Sequence, residues 1–327
     1  MKPSWRKIQR ENITSLQELI QFLELSEHHQ SLLYQHPDFI LNVPKRLASK
    51  IAKDDPTDPL FLQFVPLKQE LLTQVGFVAE PMHDAHFAKE RKLLHKYQGR
   101  ALIVSTGACA MHCRYCFRKN FNYDTSDKSF DKELELIASD RSLQEIILSG
   151  GDPLSLPDRV LQDLILNLST IPHLKRIRFH SRFPMGIPER IDDTFLDVLK
   201  STTKQIWFCI HANHPNEFDE DIWQALKKIQ LLGIPVLNQS VLLKGVNDDT
   251  ATLKRFSEIL VDHGVIPYYL HQLDRVEGAS HFEVEEEKGK ELIQQLAGQL
   301  PGFGVPKYVR EIPGEPSKTS LTSSPQG

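Results

Sequence analysis

Cysteine is scarce in this chain, with four in 327 residues. So few thiols over such a length exclude a disulfide framework as the source of stability. Long hydrophobic runs are missing too. No stretch of 18 or more apolar residues occurs, which excludes a helix that spans a bilayer. Basic charge is not in excess: 39 Lys and Arg stand against 43 Asp and Glu, a net charge of −4. That balance carries no electrostatic footprint for nucleic acid. The first residues, Met1-Lys-Pro-Ser-Trp-Arg-Lys7, lack the apolar centre of an export signal. The expectation is a cytoplasmic protein without membrane or nucleic-acid partners. The remaining composition, 40% hydrophobic and 25% charged, is that of a globular chain long enough for one α/β barrel or two domains.

What cysteine there is lies together. Cys109, Cys113 and Cys116 form a C-x3-C-x2-C run in Gly107-Ala-Cys-Ala-Met-His-Cys-Arg-Tyr-Cys-Phe-Arg118. Three thiolates can hold three irons of a 4Fe–4S cluster and leave the fourth iron open. A zinc site is the second reading, but structural zinc takes four ligands. His112, the nearest candidate, sits beside Cys113 inside the run, where chelation is awkward. A chance grouping of buried thiols is the third. Cys209 lies within a predicted strand and reads as a small buried hydrophobe.

Around this run the pattern divides in three. Residues 1–95 read as helices and loops. Leu16, Leu19, Ile20, Phe22, Leu23 and Leu25 recur at helical spacing, with Asn12 or Thr14 as a cap. Asp54–Pro59 reads as a turn-rich break. This region is expected to be an accessory helical layer without chemistry of its own. Residues 96–300 alternate between strands and helices. Strands are predicted at 101–106, 145–149, 176–180, 205–211, 235–243 and 266–271. Helices are predicted at about 129–139, 157–169, 192–200, 217–232, 249–262 and 283–298. Six βα units in succession imply a parallel sheet with right-handed crossovers. Six are too few to close an eight-stranded barrel, so the expected fold is a partial (β/α)6 barrel. Residues 301–327 form a C-terminal segment, with a last strand expected at 307–311.

Polar motifs fall at the predicted strand ends, where parallel barrels place their catalytic groups. The cysteine run follows the first strand. Ser149-Gly-Gly-Asp-Pro153 follows the second and Ser181-Arg182 the third. His211-Ala-Asn-His-Pro-Asn-Glu217 follows the fourth. Asn238-Gln239 lies in the fifth, and Asp274 follows the sixth. Singly, each has an ordinary explanation. Gly150-Gly151 suits a tight βα turn as well as a close backbone approach to a ligand. His211 and Asn213 suit satisfied core polar groups, and the tail around Lys318 suits a mobile, solvated end. Their concordance is what points to a site.

The cysteine run resembles that of the radical S-adenosylmethionine enzymes. Together with Ser149–Asp152, His211–Glu217, Leu237–Asp248 and Glu315–Thr319, it resembles the lysine 2,3-aminomutase family, from about Asp54 to Ser320. The resemblance implies three cofactors: a 4Fe–4S cluster on Cys109, Cys113 and Cys116, S-adenosylmethionine on its open iron, and pyridoxal 5′-phosphate in Schiff-base linkage to Lys318. It implies that Gly150, Gly151 and Asp152 belong to the loop that meets the S-adenosylmethionine amino group, with His211 and Asn213 near its adenosyl part. Arg100 matches a phosphate-binding arginine, and Arg182 and Gln239 match cofactor-pocket positions. Arg118 matches the arginine for the substrate carboxylate. Asp274 and Glu311 match two carboxylates for the ε-ammonium of lysine.

The implied function is conversion of L-lysine to β-lysine, of the R form, with an electron donor such as flavodoxin or ferredoxin. Among relatives the chain resembles the short form whose product a separate ligase attaches to elongation factor P. The short end after Lys318, and Asp249 where longer members carry a cysteine, imply no interfacial zinc. Kept open are a catabolic lysine enzyme, a glutamate or arginine 2,3-aminomutase, a radical enzyme without pyridoxal phosphate, and a non-catalytic metal-binding partner of a ligase.

Overall fold

A computed structural model describes residues 3–121, 123 and 129–322. Its frame is one ten-stranded sheet whose strands lie side by side in chain order. The strands are β1 (Ala88–Glu90), β2 (Leu93–Tyr97), β3 (Arg100–Thr106), β4 (Glu145–Gly150), β5 (Arg176–Ser181), β6 (Gln205–His211), β7 (Val236–Val241), β8 (Val265–His271), β9 (Lys307–Arg310) and β10 (Thr319–Ser320). From β3 to β9 every neighbour is parallel. The first and last strands fold back antiparallel. The sheet curls without closing, as a partial barrel does.

The six predicted crossover helices are present at Asp131–Ser139, Asp158–Thr170, Asp193–Lys200, Glu220–Gln230, Thr250–Asp262 and Glu286–Ala297. Each turns an apolar stripe to the sheet. In Asp158–Thr170 the buried residues are Leu161, Leu164, Ile165 and Leu168, a spacing that keeps them on one face. Asp192, Asp219 and Asp249 cap three of these helices by accepting from backbone N–H groups of the first turn. Asp249 is thus a helix cap.

Two features of the N-terminal region differ from the sequence reading. Residues 88–97 are not helix or loop but a hairpin that extends the sheet, with Leu93 opposite Ile103 and Tyr97 opposite Arg100. The helix Leu16–Leu23 starts from Ser15 and not from Thr14 or Asn12. The Asn12 side-chain amide donates to the carbonyl of Ala110 in the cysteine loop (2.7 Å). The layer shares a continuous apolar core with the barrel, running from Trp5, Leu19 and Phe61 through Phe183 to Ile146 and Phe208.

Candidate active site

The cysteine loop is held from both sides. From the N-terminal layer, Asn42 O accepts from His112 N (2.9 Å) and Gln63 O accepts from Arg114 N (2.9 Å). The Arg114 guanidinium makes a two-pronged pair with Glu70, at 2.8 and 2.6 Å. The His112 ring stacks on Phe39, so it serves the loop's fold. From the barrel, Gly151 N donates to Thr106 O (2.6 Å) and Asp152 N to Ala108 O (2.8 Å). Here both glycines are required by the protein itself. Gly150 has φ +111°, and a Cβ on Gly151 would stand 2.4 Å from the carbonyl oxygen of Ala108. The space beside Gly151 is filled by Gly107 and Ala108 at the start of the cysteine loop, and that beside Gly150 by the end of β3.

Cys109, Cys113 and Cys116 line one cavity of about 580 Å³. Burial raises all three thiol pKa values, and for Cys109 the carboxylate of Asp152 and the other two thiols raise it further. Among the described residues no three His, Cys, Asp or Glu are arranged around a single metal ion. A cluster does not need that arrangement, since each thiolate holds a different iron. The residues therefore fit a three-cysteine cluster better than zinc.

Most of the predicted site residues share this cavity: Arg100, Arg118, Gly150, Gly151, Asp152, Arg182, His211, Gln239, Asp274, Glu311 and Lys318 all line it. Asn213 does not. It is buried behind the wall, where its amide donates to Gln63 and Tyr115 and its oxygen accepts from Val241 N. Its side chain is used up in framing the cavity. Asp152 is likewise committed to protein partners. Its two oxygens accept from Ser181 Oγ and from the backbone N–H groups of Leu154, Arg182 and Phe183. Burial nevertheless pushes its pKa up to about 6.

The cavity runs the depth of the open barrel. The cysteines lie at the C-terminal ends of the strands, whereas Arg100 is the first residue of β3 and stands at the other end. There it neighbours Glu145, which in turn neighbours Arg176 across the sheet. Glu145 pairs with Arg178 (2.6 Å) and Arg176 (3.3 Å), while Arg100 has no ion pair among the described residues and lies against Tyr97. Midway, Gln239 stands 2.7 Å from His211 and 3.3 Å from His180. Burial, with the nearby Arg182 and Lys318 cations, holds His211 down at about 3, so it is neutral. Burial also holds His180 and His271 low, helped by Arg178 at His180 and by Lys318 at His271.

One wall carries alternating charges. Arg118 Nε donates to Asp84 (2.9 Å), Asp84 pairs with Lys96 (2.7 Å), Lys96 with Glu311 (3.2 Å), and Glu311 with Lys318. Asp84 and Lys96 were not anticipated: Asp84 lies in the region read as an accessory layer, and Lys96 precedes the first predicted strand at 101–106. The register of β10 on β9 brings Lys318 to Glu311: Thr319 pairs with Arg310. The tail is thereby folded back into the site. Burial alone would raise Glu311, but Lys318 and Lys96 hold it at about 2. Asp274 differs. Burial and then the Glu311 charge push it up to about 7. The two acids are therefore not a bare dianion: Glu311 is neutralised by two lysines, and Asp274 is poised between its forms.

Comparison with known proteins gives the family. The radical SAM superfamily matches residues 103–256. L-lysine 2,3-aminomutase of Haemophilus influenzae is 41% identical over 97% of this chain and 95% of its own length. The Escherichia coli protein of that name is 41% identical over 94% and 92%. The chain belongs to the lysine 2,3-aminomutase family. The Clostridium subterminale member is 33% identical, and 77% of it is covered. Streptococcus suis SuiB, solved with S-adenosylmethionine, shares the fold at a TM-score of 0.50 and 11% identity, over 66% of this chain and 51% of that one. As a radical SAM enzyme of this family, the chain takes a 4Fe–4S cluster and S-adenosylmethionine.

Proposed function

We propose that the protein is an L-lysine 2,3-aminomutase, moving the α-amino group of lysine to the β-carbon. The observation that supports it is that the three cysteines and Lys318 line the same cavity. When bound, the cluster and S-adenosylmethionine supply a 5′-deoxyadenosyl radical, and pyridoxal phosphate on Lys318 supplies an electron sink for the migrating nitrogen. The side chains do the positioning. Arg100, without an ion pair among the described residues, offers a guanidinium suited to phosphate. Arg118, fixed by Asp84, receives the substrate carboxylate. Asp274 receives the ε-ammonium. His211 and Gln239 hold the middle of the cavity without charge. Labelled lysine, incubated anaerobically with reductant, should appear as β-lysine. Borohydride should fix the pyridoxal group to the peptide that contains Lys318. Conversion of glutamate or arginine in place of lysine, or a label on another lysine, would refute the assignment.

Asp274 gives this reading a pH signature. Its carboxyl must be ionised to hold an ammonium, and the substrate ammonium stays charged well above neutrality. Since burial and Glu311 place Asp274 near 7, kcat/KM for lysine should rise as pH passes upward through about 7. The Asp274→Asn variant should lose that limb along with most of its affinity. A limb that persists unchanged in this variant would assign the titration elsewhere.

The finer role we propose is supply of (R)-β-lysine for attachment to elongation factor P by a ligase. It draws on the similarity to short members of the family. Deleting the gene should remove the lysyl-sized adduct from elongation factor P, and added (R)-β-lysine should restore it. An unchanged adduct would rule out the role and leave the aminomutase activity to be judged separately.

A further inference from the structure

We infer that Arg182 is a positioning residue for the iron–sulfur cluster: its immobilised guanidinium donates to the Cys113 sulfur and raises the cluster's reduction potential. Arg182 directly follows β5 and precedes the short helix Phe183–Gly186, and its own N–H is tied to Asp152 (2.7 Å). One arm of the guanidinium, Nη1, donates to Cys113 Sγ at 2.9 Å and meets the Tyr115 hydroxyl. The other arm, Nη2, donates to Glu217 Oε2 and to Gln63 Oε1, both at 2.8 Å. The plane lies over the Phe64 ring. Glu217 cannot yield, because it is fully buried and its second oxygen accepts from the N–H groups of Asn213 (2.7 Å) and His214 (3.1 Å). Four segments remote in sequence therefore converge on one cation, which they aim at one ligand sulfur.

The consequence follows from charge. Reduction adds an electron to the cluster and spreads negative charge onto its sulfurs. A hydrogen bond from a fixed cation to a ligand sulfur favours the reduced form, and hydrogen bonds to sulfur are an established lever on cluster potential. Burial strengthens the effect, since few water dipoles are near to screen it. Glu217 lies on the far side of the guanidinium and acts in the opposite sense with less force. Gln63 belongs to the helix Pro59–Phe64 of the N-terminal layer. That layer thus contributes to the electronics of the cluster as well as to the shape of its loop.

The test is a reductive titration of the reconstituted protein under anaerobic conditions, followed by electron paramagnetic resonance, with iron counted in parallel. Arg182→Met should lower the equilibrium constant for one-electron reduction about tenfold, a shift of about 59 mV to lower potential. Arg182→Lys, which keeps the charge but loses the fork, should fall between Met and wild type. Glu217→Gln removes the opposing charge and should move the potential the other way. An unchanged midpoint in Arg182→Met with full iron content would overturn the inference, as would Met and Gln variants that shift in the same direction. If Arg182→Met does not load iron, Glu217→Gln decides: a rise supports the inference and no rise refutes it.

Discussion

Cys113→Ala should bind less iron and turn over no lysine, with the same outcome for Cys109→Ala and Cys116→Ala. Three thiolates are the minimum that leaves one iron open, and no fourth can step in. The remaining cysteine, Cys209, is fully buried in β6 and does not line the cavity. Burial pushes its thiol up to about 12, away from the thiolate form that iron needs. Cys209→Ala is therefore the matched control. It should keep its iron and its turnover and lose on the order of 1 kcal/mol of stability, as small core truncations do. Iron content, the broad visible absorption and lysine turnover, measured on the same preparations, separate the two classes. Full absorbance and turnover in Cys113→Ala would remove the cluster from Cys113.

The barrel was readable where its strands are buried on both faces. Ile146-Ile-Leu148 and Ile206-Trp-Phe-Cys-Ile210 are short apolar runs that only a covered parallel strand explains. The hairpin β1–β2 was not readable. Ala88-Lys-Glu and Leu93-Leu-His-Lys-Tyr have no lasting period of two, and their strand form comes from pairing, β2 with β3 and β1 with β2. That omission hid Lys96, whose place in the site depends on the hairpin. The cysteines and strand-end polar groups were legible as types at positions. Their partners were not, because Gln63, Glu70 and Asp84 lie far away in sequence and read as ordinary solvated side chains. Gly150 and Gly151 suited a tight turn as well as a close approach to a ligand, and only packing reveals that the start of the cysteine loop lies against Gly151. Lys318 is the opposite case. Composition reads its segment as a loose end, and the resemblance alone gave it a role; the pairing of β10 with β9 supplies a physical cause for its position.

Asp84→Ala should be among the most damaging changes away from the cysteines. Asp84 is 3% exposed and stands between two cations, Arg118 and Lys96. Removing it leaves a buried guanidinium without its carboxylate and frees Lys96 to bear on Glu311 alone. Breaking a buried pair from one side costs about 3–5 kcal/mol, which denaturant midpoints would register. The functional effect has its own direction. Arg118, no longer anchored, should hold the lysine carboxylate poorly, so KM for lysine rises more than kcat falls. Asp84→Asn should be milder in stability, since its amide oxygen can still accept from Arg118 Nε. It should still raise KM, because the charge that orders the wall is gone. Iron content should stay normal in both variants, as Asp84 bonds to the Arg118 side chain beyond Cys116 and to no residue between Cys109 and Cys116. A stable Asp84→Ala protein with unaltered KM would mean that Arg118 is positioned by the loop's own fold, and that the charged wall is scaffolding without a part in substrate binding.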